Sequence, residues 1–438
     1  MRLLLIAFLV LTAPALAWGQ AQSNASVIDA AIHSILEGED EPTAAALKTL
    51  RALGDRGAVA PLIQMLFWTD TAPPIVETLE ALTGARPGGR FFDWMVWQED
   101  HPQPSYEGYT ALLVELLTGL DRNYDRFLRP GIAHTIRLEE LAWGGVKVNA
   151  IPPLDAPRMV AAAEAAYLNA DDRVFGVSLN GDSRAYPLRI MNWHEMANDV
   201  VGGIPVSLAY CTLCGAGILY DGRVEGAPAA VTFATSGLLY RSNKLMFDRI
   251  SESLWNQFTG RPVIGQLAGL PLRLKQLPMV IESWEHWRAT HPDTRVLAQE
   301  TGYSRDYAPG TAYRAYFASP DLAFPAAVHD RSLKPKEKVF GIEVPGGRKS
   351  WPLASIELIQ ERVGLLDVVL IGTPGTDTVR AYEATGHRFV RTGADRLGSE
   401  DGDWTVTEAA LVGPGGRSLP RLPGHVAYWF AWSGFLGD

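Results

Sequence analysis

Hydrophobic and polar positions follow two different patterns along the chain, and the change between them divides it into two parts. From about residue 26 to residue 127, apolar residues recur at helical spacing, as Ala44, Leu47 and Leu50 do. From residue 171 onward, short apolar runs are separated by Asn180-Gly181, Asp221-Gly222 and similar turns, which is typical of strands in hairpins. The pattern predicts an α+β protein with an N-terminal helical module followed by a β-rich domain.

The helical part contains a string that joins two predicted helices. Residues 53–63 are Leu-Gly-Asp-Arg-Gly-Ala-Val-Ala-Pro-Leu-Ile, with a turn first and Pro61 then in the first turn of a helix over residues 58–67. The string resembles a HEAT-type helical repeat, and such repeats stack to bury their apolar faces. We expect a HEAT-like module over residues 22–130 that packs on the main domain, or alternatively docks a protein partner. Residues 131–170, aperiodic and bearing Pro and Gly, are expected to be a connection.

The β-rich domain, residues 171–438, contains an internal duplication. Residues 174–188 (Val-Phe-Gly-Val-Ser-Leu and onward to Tyr-Pro-Leu) align with residues 339–353 (Val-Phe-Gly-Ile-Glu-Val and onward to Trp-Pro-Leu). We therefore predict two related halves, at about residues 171–290 and 336–438. The only two cysteines, Cys211 and Cys214, lie in the first half, and the second half has Ile-Gly-Thr-Pro there. A pair needed only for folding would be expected in both halves, so the asymmetry favours function.

The N-terminus predicts export. Arg2 precedes an apolar run that ends near the small residues Ala15 and Ala17, the organisation of a signal peptide over residues 1–21. The run is shorter than the roughly 20 residues of a spanning helix, so we expect no transmembrane segment after cleavage and a periplasmic or secreted protein. The net charge of −10, without a basic stripe, argues against nucleic acid or an anionic membrane as a partner.

Cys211 and Cys214 form a Cys-x-x-Cys at the exit of a predicted strand, and the Gly202-Gly203 turn brings the segment of His194 and Glu195 back beside it. One interpretation is a structural disulfide, although closing so short a loop gains only about 2 kcal/mol. A second is a thiol–disulfide exchange centre. Reactive pairs of that kind usually begin a helix, whereas the sequence after Cys214 predicts a strand.

The third interpretation, which we favour, is a transition-metal site, because two thiolates and an imidazole suit copper or zinc. Copper is preferred over zinc, and the alternative is that no metal binds. The predicted ligands are Cys211, Cys214, His194 and Met246. Other candidates for the fourth position are Glu195, His329 and His425. Glu195, as an orienting group or acid/base, and Asp248 are the candidate catalytic carboxylates.

Five strings in this region carry a resemblance to a known family. They are Asn-Trp-His-Glu-Met-Ala-Asn-Asp at residues 192–199, Tyr-Cys-Thr-Leu-Cys-Gly at 210–215, Ser-Gly-Leu-Leu at 236–239, Leu-Met-Phe-Asp-Arg at 245–249, and the tail over 422–432. On these strings, residues 171–432 resemble the bacterial family catalogued as domain of unknown function 3179. The resemblance supports the site and implies no particular reaction. The chain departs from the family at Thr212, where proline is usual, and at Phe247, where tyrosine is usual.

The sequence therefore predicts an exported transition-metal-binding protein, for which redox activity is one option, with its site on the segments of Cys211 and His194. The first alternative is a thiol–disulfide oxidoreductase that uses the same cysteines. The second is a non-catalytic interaction protein that docks a partner through its helical repeats.

Overall fold

The computed structural model describes residues 23–70, 72–224, 227 and 229–437. The predicted signal peptide, residues 1–21, lies outside the described residues. The α-helices are α1 (Asn24–Glu37), α2 (Asp40–Leu53), α3 (Val59–Trp68), α4 (Ala72–Thr83), α5 (Phe91–Asp100), α6 (Tyr109–Leu120), α7 (Leu188–His194), α8 (Trp284–Thr290), α9 (Arg314–Ala318) and α10 (Trp429–Phe435). Within the described residues, no helix combines the length and hydrophobicity needed to cross a membrane.

The strands begin before the predicted β-rich domain and continue to its end. Those before residue 300 are β1 (Leu141–Trp143), β2 (Leu154–Asp155), β3 (Met159–Ala161), β4 (Arg173–Leu179), β5 (Asp182–Pro187), β6 (Met196–Val201), β7 (Ile204–Cys211), β8 (Ala216–Asp221), β9 (Phe233–Tyr240), β10 (Asn243–Asp248), β11 (Leu254–Asn256), β12 (Arg261–Ile264), β13 (Gln276–Leu277), β14 (Val280–Ser283) and β15 (Arg295–Leu297). Those after it are β16 (Lys338–Val344), β17 (Gly347–Pro352), β18 (Leu358–Val363), β19 (Leu366–Gly372), β20 (Val379–Glu383), β21 (Val390–Gly393), β22 (Arg396–Ser399), β23 (Gly402–Val406), β24 (Ala410–Val412), β25 (Ser418–Leu422) and β26 (Gly424–Tyr428).

The predicted α+β organisation, with helices first and a β-rich part after them, is confirmed. The chain divides into two compact units. The smaller holds residues up to Ala85 together with Pro104–Gly108, and the larger holds Arg86–Gln103 and everything from Tyr109 onward. Helices α1 to α4 thus belong to the smaller unit, whereas α5 and α6 belong to the β-rich unit. The HEAT-like character of the helices and a docked partner stay predictions.

In the smaller unit, the turn expected between two helices lies between α2 and α3. Gly54 ends α2 in the left-handed conformation, with φ of 64°, and its N–H donates to the Leu50 carbonyl at 3.1 Å. Asp55 then accepts a hydrogen bond from the Gly57 N–H at 2.8 Å and starts the next turn. Helix α3 follows with Val59 to Met65 all buried, which explains its continuous apolar sequence.

The larger unit contains five sheets within the described residues. Their strand orders are β1-β9-β10-β11-β12, β13-β8-β7-β6-β2, β14-β4-β5-β15-β3, β17-β16-β26 and β18-β19-β20-β25-β24-β23-β22-β21. One hydrophobic core takes residues from both predicted halves, including Phe175 and Tyr186 from the first and Phe340 and Trp351 from the second. The two halves therefore share one core.

The two duplicated hairpins have the same register. Phe175 of β4 pairs with Tyr186 of β5, and at the equivalent position Phe340 of β16 pairs with Trp351 of β17. In both halves a further antiparallel strand flanks the hairpin, β14 beside β4 and β26 beside β16. Each flanking strand leads directly into a short helix, α8 or α10, that begins with Trp-x-x-Trp.

The second strand of the first hairpin leads directly into a helix. Strand β5 ends at Pro187, and α7 begins at Leu188. Proline fixes its own backbone and supplies no N–H, so it suits the position just before a helix. Residues 131–170, expected to be a connection, contribute β1, β2 and β3 to the edges of three sheets. Strand β1 pairs with β9, β2 runs parallel to β6, and β3 pairs with β15.

Candidate functional site

The Cys-x-x-Cys occupies the turn between β7 and β8. Cys211 is the last residue of β7 and pairs with Ala216, the first of β8. Between them the N–H of Cys214 donates to the Cys211 carbonyl at 3.2 Å, and the N–H of Gly215 donates to the Thr212 carbonyl at 3.2 Å. Gly215 has a φ of 59°, so the tight turn needs a residue without a side chain there. The turn brings the sulfurs of Cys211 and Cys214 next to each other.

The two sulfurs lie in contact, and both are buried. The Sγ atoms of Cys211 and Cys214 are 2.7 Å apart, and the residues are 1% and 0% exposed. Both are free thiols. A disulfide has a sulfur–sulfur distance of about 2.05 Å, so the pair can close with little movement of the backbone.

A chain of amides fixes the group that faces Cys214. The Gln257 amide nitrogen donates to the Ala209 and Ala216 carbonyls at 3.0 and 3.2 Å, so its oxygen must accept. That oxygen accepts from Asn243 Nδ2 at 2.9 Å. The same Nδ2 lies 3.2 Å from the Cys214 sulfur, which therefore receives an N–H donor.

Glu195 reaches the cysteine turn from the end of α7. It lies just beyond the helix with a φ of 54°, a left-handed conformation that is strained for a residue with a side chain. The predicted Gly202-Gly203 turn joins β6 to β7, and the Tyr210 N–H donates to the Glu195 carbonyl at 2.8 Å. One carboxylate oxygen accepts from the Thr212 hydroxyl at 2.8 Å and the Tyr313 hydroxyl at 2.9 Å. Glu195 thus holds the Cys-x-x-Cys turn directly.

Lys244, which the sequence analysis did not single out, supplies the positive charge of the site. It is 5% exposed on β10. Its Nζ donates to the backbone carbonyls of Glu195 at 2.9 Å and Tyr210 at 3.2 Å, and lies 3.5 Å from the Glu195 carboxylate. Burial lowers the pKa of Lys244, and the Glu195 carboxylate opposes that shift. The site therefore contains a buried ion pair beside the thiols.

The surroundings make the two thiols unequal. Burial raises the pKa of Cys211, but a hydrogen bond from the Cys214 thiol lowers it. A hydrogen bond from the Lys244 backbone N–H and the charge of its ammonium add to the lowering, so the pKa of Cys211 lies below its ordinary value. Burial and the neighbouring Cys211 sulfur raise the pKa of Cys214 well above its ordinary value. Of the pair, Cys211 is the one that ionises first.

A cavity of about 80 Å³ adjoins the site, and Cys211 lines it. The other polar side chains on its wall are Glu195, Lys244, Tyr313 and Thr235. The rest of the wall is mostly apolar and includes Leu213, Leu238 and Phe324. Cys214 is not on the wall, so of the two cysteines only Cys211 borders this cavity.

The turn between β9 and β10 is strained where it meets Cys214. Arg241 and Ser242 both have positive φ, 49° and 61°, the conformation of a type I′ turn that favours Asn or Gly. Ser242 is 2% exposed, and its carbonyl lies 3.5 Å from the Cys214 sulfur. Such strain is found at functional sites more often than elsewhere.

His194 does not meet the cysteines. Its Nδ1 lies 2.8 Å from the Pro152 carbonyl and its Nε2 lies 2.6 Å from the Tyr307 hydroxyl. Burial lowers the pKa of His194, which keeps the ring neutral. Both ring nitrogens are therefore engaged with protein groups, and the structure brings Glu195, the next residue, to the cysteines instead.

Met246 and Asp248 also lie away from the sulfurs. Met246 is fully buried in a core cluster with Phe233 and Trp255. The Asp248 carboxylate accepts hydrogen bonds from the backbone N–H groups of Ile250 and Ser251, and from the Trp255 indole at 2.9 Å. These bonds close the turn that follows β10, so we assign Asp248 a structural role.

The remaining predicted alternatives are also elsewhere. His329 is half-exposed with its Nδ1 3.5 Å from an Asp100 oxygen, and His425 lies in β26 with its Nδ1 3.3 Å from the Gln276 amide nitrogen. Across the described part of the chain, no group of three or more His, Cys, Asp or Glu side chains is arranged to hold a metal ion. Of the four predicted ligands, the structure places only Cys211 and Cys214 together.

His425 should make the protein sensitive to acid. Burial lowers its pKa from an ordinary 6.5 to about 3. As the pH falls, His425 becomes protonated in the unfolded chain before it does so in the folded protein. The contribution of the neutral, buried His425 to the free energy of unfolding is therefore complete above about pH 6.5 and is lost as the pH falls toward about 3. At pH 4.5 the loss should be about 3 kcal/mol. Urea unfolding at pH 7 and 4.5 should therefore show a smaller pH effect in His425→Leu. Equal pH effects in both proteins would contradict this assignment.

Comparison with known proteins gives one match. Residues 148–438 match the model of a family described as "Protein of unknown function (DUF3179)". No curated protein and no solved structure matches the chain. The matched region contains Glu195, both cysteines and Lys244.

Proposed function

The chain belongs to the DUF3179 family, and we propose that it is an exported redox protein whose Cys211 and Cys214 cycle between dithiol and disulfide. The observation that carries the proposal is the contact of the two free sulfurs, 2.7 Å apart, with only Cys211 on a cavity wall. The predicted signal peptide supports an oxidising compartment, in which such a cycle can operate.

The two sulfurs have different roles in this cycle. Cys211, whose pKa is lowered, attacks an oxidant as the thiolate. The sulfur of Cys214 then attacks the modified Cys211 sulfur, and the disulfide forms as the leaving group departs. Two electrons and the protons of the thiols leave the protein in one turn of the cycle. Two low-molecular-weight thiols reverse it: the first attacks the disulfide and forms a mixed disulfide, and the second releases the dithiol and leaves as the low-molecular-weight disulfide.

Lys244 and Glu195 position and tune the thiolate. The Lys244 ammonium and backbone N–H both favour negative charge on the Cys211 sulfur. Glu195 holds the Lys244 ammonium on one side and Thr212, inside the Cys-x-x-Cys turn, on the other. Neither group reacts in the proposed cycle, and both act through Cys211.

A second candidate is a copper(I) site made by the two thiolates alone. The observation in its favour is the adjacent pair of soft ligands in mostly apolar surroundings, since Cys211 and Cys214 pack against Phe258 and Trp432 in one cluster. A zinc site would need four ligands, and His194 and Met246 do not join the pair. The copper prediction therefore rests on two ligands instead of four.

A redox titration tests the proposal. The protein is brought to equilibrium at several ratios of reduced to oxidised dithiothreitol, and the free thiols are then blocked and counted by mass spectrometry. We expect both thiols to disappear together in a single two-electron transition, which Cys214→Ser abolishes. Thiols that stay free at every ratio would contradict the dithiol–disulfide cycle. Copper at one equivalent in the reduced protein, lost in Cys214→Ser, would favour the second candidate.

A further inference from the structure

We propose that the oxidant of this centre is a small hydroperoxide, which enters the cavity beside Cys211. The inference rests on the dithiol–disulfide cycle proposed above and assigns its substrate class. Its arguments are the size of the cavity, the chemistry of its wall and the burial of the second sulfur.

The size of the cavity limits the oxidant. A volume of about 80 Å³ has room for roughly five to eight water molecules, since each needs some 10–15 Å³. The two cysteines are 1% and 0% exposed, so a disulfide on the surface of another protein cannot approach them. Peptide disulfides are likewise too large for the space. The oxidant must be a molecule of a few heavy atoms.

The wall of the cavity suits a hydroperoxide. Leu238, Leu245 and other apolar groups make up most of it and can accommodate a short alkyl group. The polar groups, Glu195 and Lys244 among them, gather with Cys211. An uncharged molecule with one polar end and one apolar end matches this division, whereas a free anion would meet the Glu195 carboxylate.

The reaction balances with these residues. The Cys211 thiolate attacks the terminal oxygen of R–O–O–H, the O–O bond breaks, and Cys211 becomes a sulfenic acid, S–OH. The departing alkoxide takes up from solvent the proton that Cys211 released on ionising, and leaves as R–OH. The Cys214 thiol then attacks the Cys211 sulfur, the S–O bond breaks, and its proton leaves with the hydroxyl as water. Two electrons pass from the two sulfurs to the peroxide, and two low-molecular-weight thiols restore the dithiol as they become a disulfide.

The cavity wall offers two variants with opposite expected effects. Ile151 and Phe324 both line the cavity and are only half-buried, so neither substitution removes a fully buried side chain. Ile151→Phe should narrow the cavity and slow the reaction with tert-butyl hydroperoxide more than that with hydrogen peroxide. Phe324→Ala should widen it and speed the reaction with cumene hydroperoxide. Unfolding midpoints of both variants check that the fold is kept.

The test measures thiol oxidation of the reduced full-length protein by hydrogen peroxide. We expect one disulfide per peroxide, at a rate roughly 100-fold above that of free cysteine, because fixed charges stabilise the transition state. In Cys214→Ser, a sulfenic acid at Cys211 should be trapped when the oxidised protein is unfolded in the presence of dimedone, and peptide mass spectrometry should locate it. A rate equal to that of free cysteine, or no sulfenic acid at Cys211, would overturn the peroxide assignment. The dithiothreitol titration is run to equilibrium, so even rare opening of the buried site lets dithiothreitol react, and its failure would concern the cycle itself. The two failures are therefore distinguishable.

Discussion

Replacing Lys244 with methionine should destabilise the protein by about 3–5 kcal/mol, because it leaves the buried Glu195 carboxylate without a counter-charge. Glu195 and Lys244 are each 5% exposed, so bulk water compensates only weakly for the lost partner. The same substitution should raise the pKa of Cys211, since the Lys244 ammonium is one of the groups that lower it. Urea unfolding at pH 7.5 measures the first effect, and the pH dependence of Cys211 alkylation measures the second.

The matched control removes both charges. Glu195→Gln combined with Lys244→Met leaves no unpaired buried charge, and replacing a buried ion pair by neutral groups is often close to neutral. The double variant should therefore recover most of the stability that the single variant loses. If the two variants are equally unstable, the ion pair is not the reason for the loss.

Gly341→Ala should destabilise the protein by about 3 kcal/mol. A side-chain carbon at Gly341 would lie 2.1 Å from the ring of Trp432, which is fully buried and lies one turn into α10. Neither the backbone at Gly341 nor the Trp432 side chain can move without opening the contact between β16 and α10. The equivalent glycine in the first half, Gly176, is packed in the same way, because a side-chain carbon there would lie 2.4 Å from the Trp287 ring. Thermal unfolding of Gly341→Ala measures the loss.

Gly434→Ala is the control for this prediction. Gly434 lies in α10, as Trp432 does, but a side-chain carbon there would have no atom within 4 Å apart from its chain neighbours and the backbone of its own helix. Alanine favours a helix over glycine, so this variant should be unchanged or more stable by up to about 1 kcal/mol. Similar losses in both variants would show that close packing on the tryptophan is not the cause.

The sequence predicted which chain segments meet at the site better than it predicted which residues contact the cysteines. Alternation in β7 and the Gly202-Gly203 turn were enough to place the segment of Glu195 beside the Cys-x-x-Cys, because hairpin geometry is set locally. Which of the two neighbouring side chains, His194 or Glu195, reaches the cysteines was not predictable in this way. It depends on the left-handed conformation of Glu195, which no local propensity favours in a residue with a side chain.

The partners that come from distant strands could not be predicted from local patterns. Asn243, Lys244 and Gln257 reach the cysteines through the pairing of β9, β10 and β11, and no spacing in the sequence encodes that approach. One signal was available, since a lysine in an otherwise mostly apolar strand needs a buried partner. Met246 was misleading because the β9–β10 ladder changes register between Lys244 and Met246.

The central claim, that Cys211 is the reactive sulfur and Cys214 its partner, is tested most directly by alkylation of the reduced protein. Iodoacetamide is added over a range of pH, and peptide mass spectrometry follows each cysteine separately. Cys211 should be labelled first. As the pH is raised, its labelling rate should reach a plateau already at a pH lower than about 8.5, the ordinary pKa of a thiol. Labelling of Cys214 first, or of both cysteines at one rate, would contradict the account.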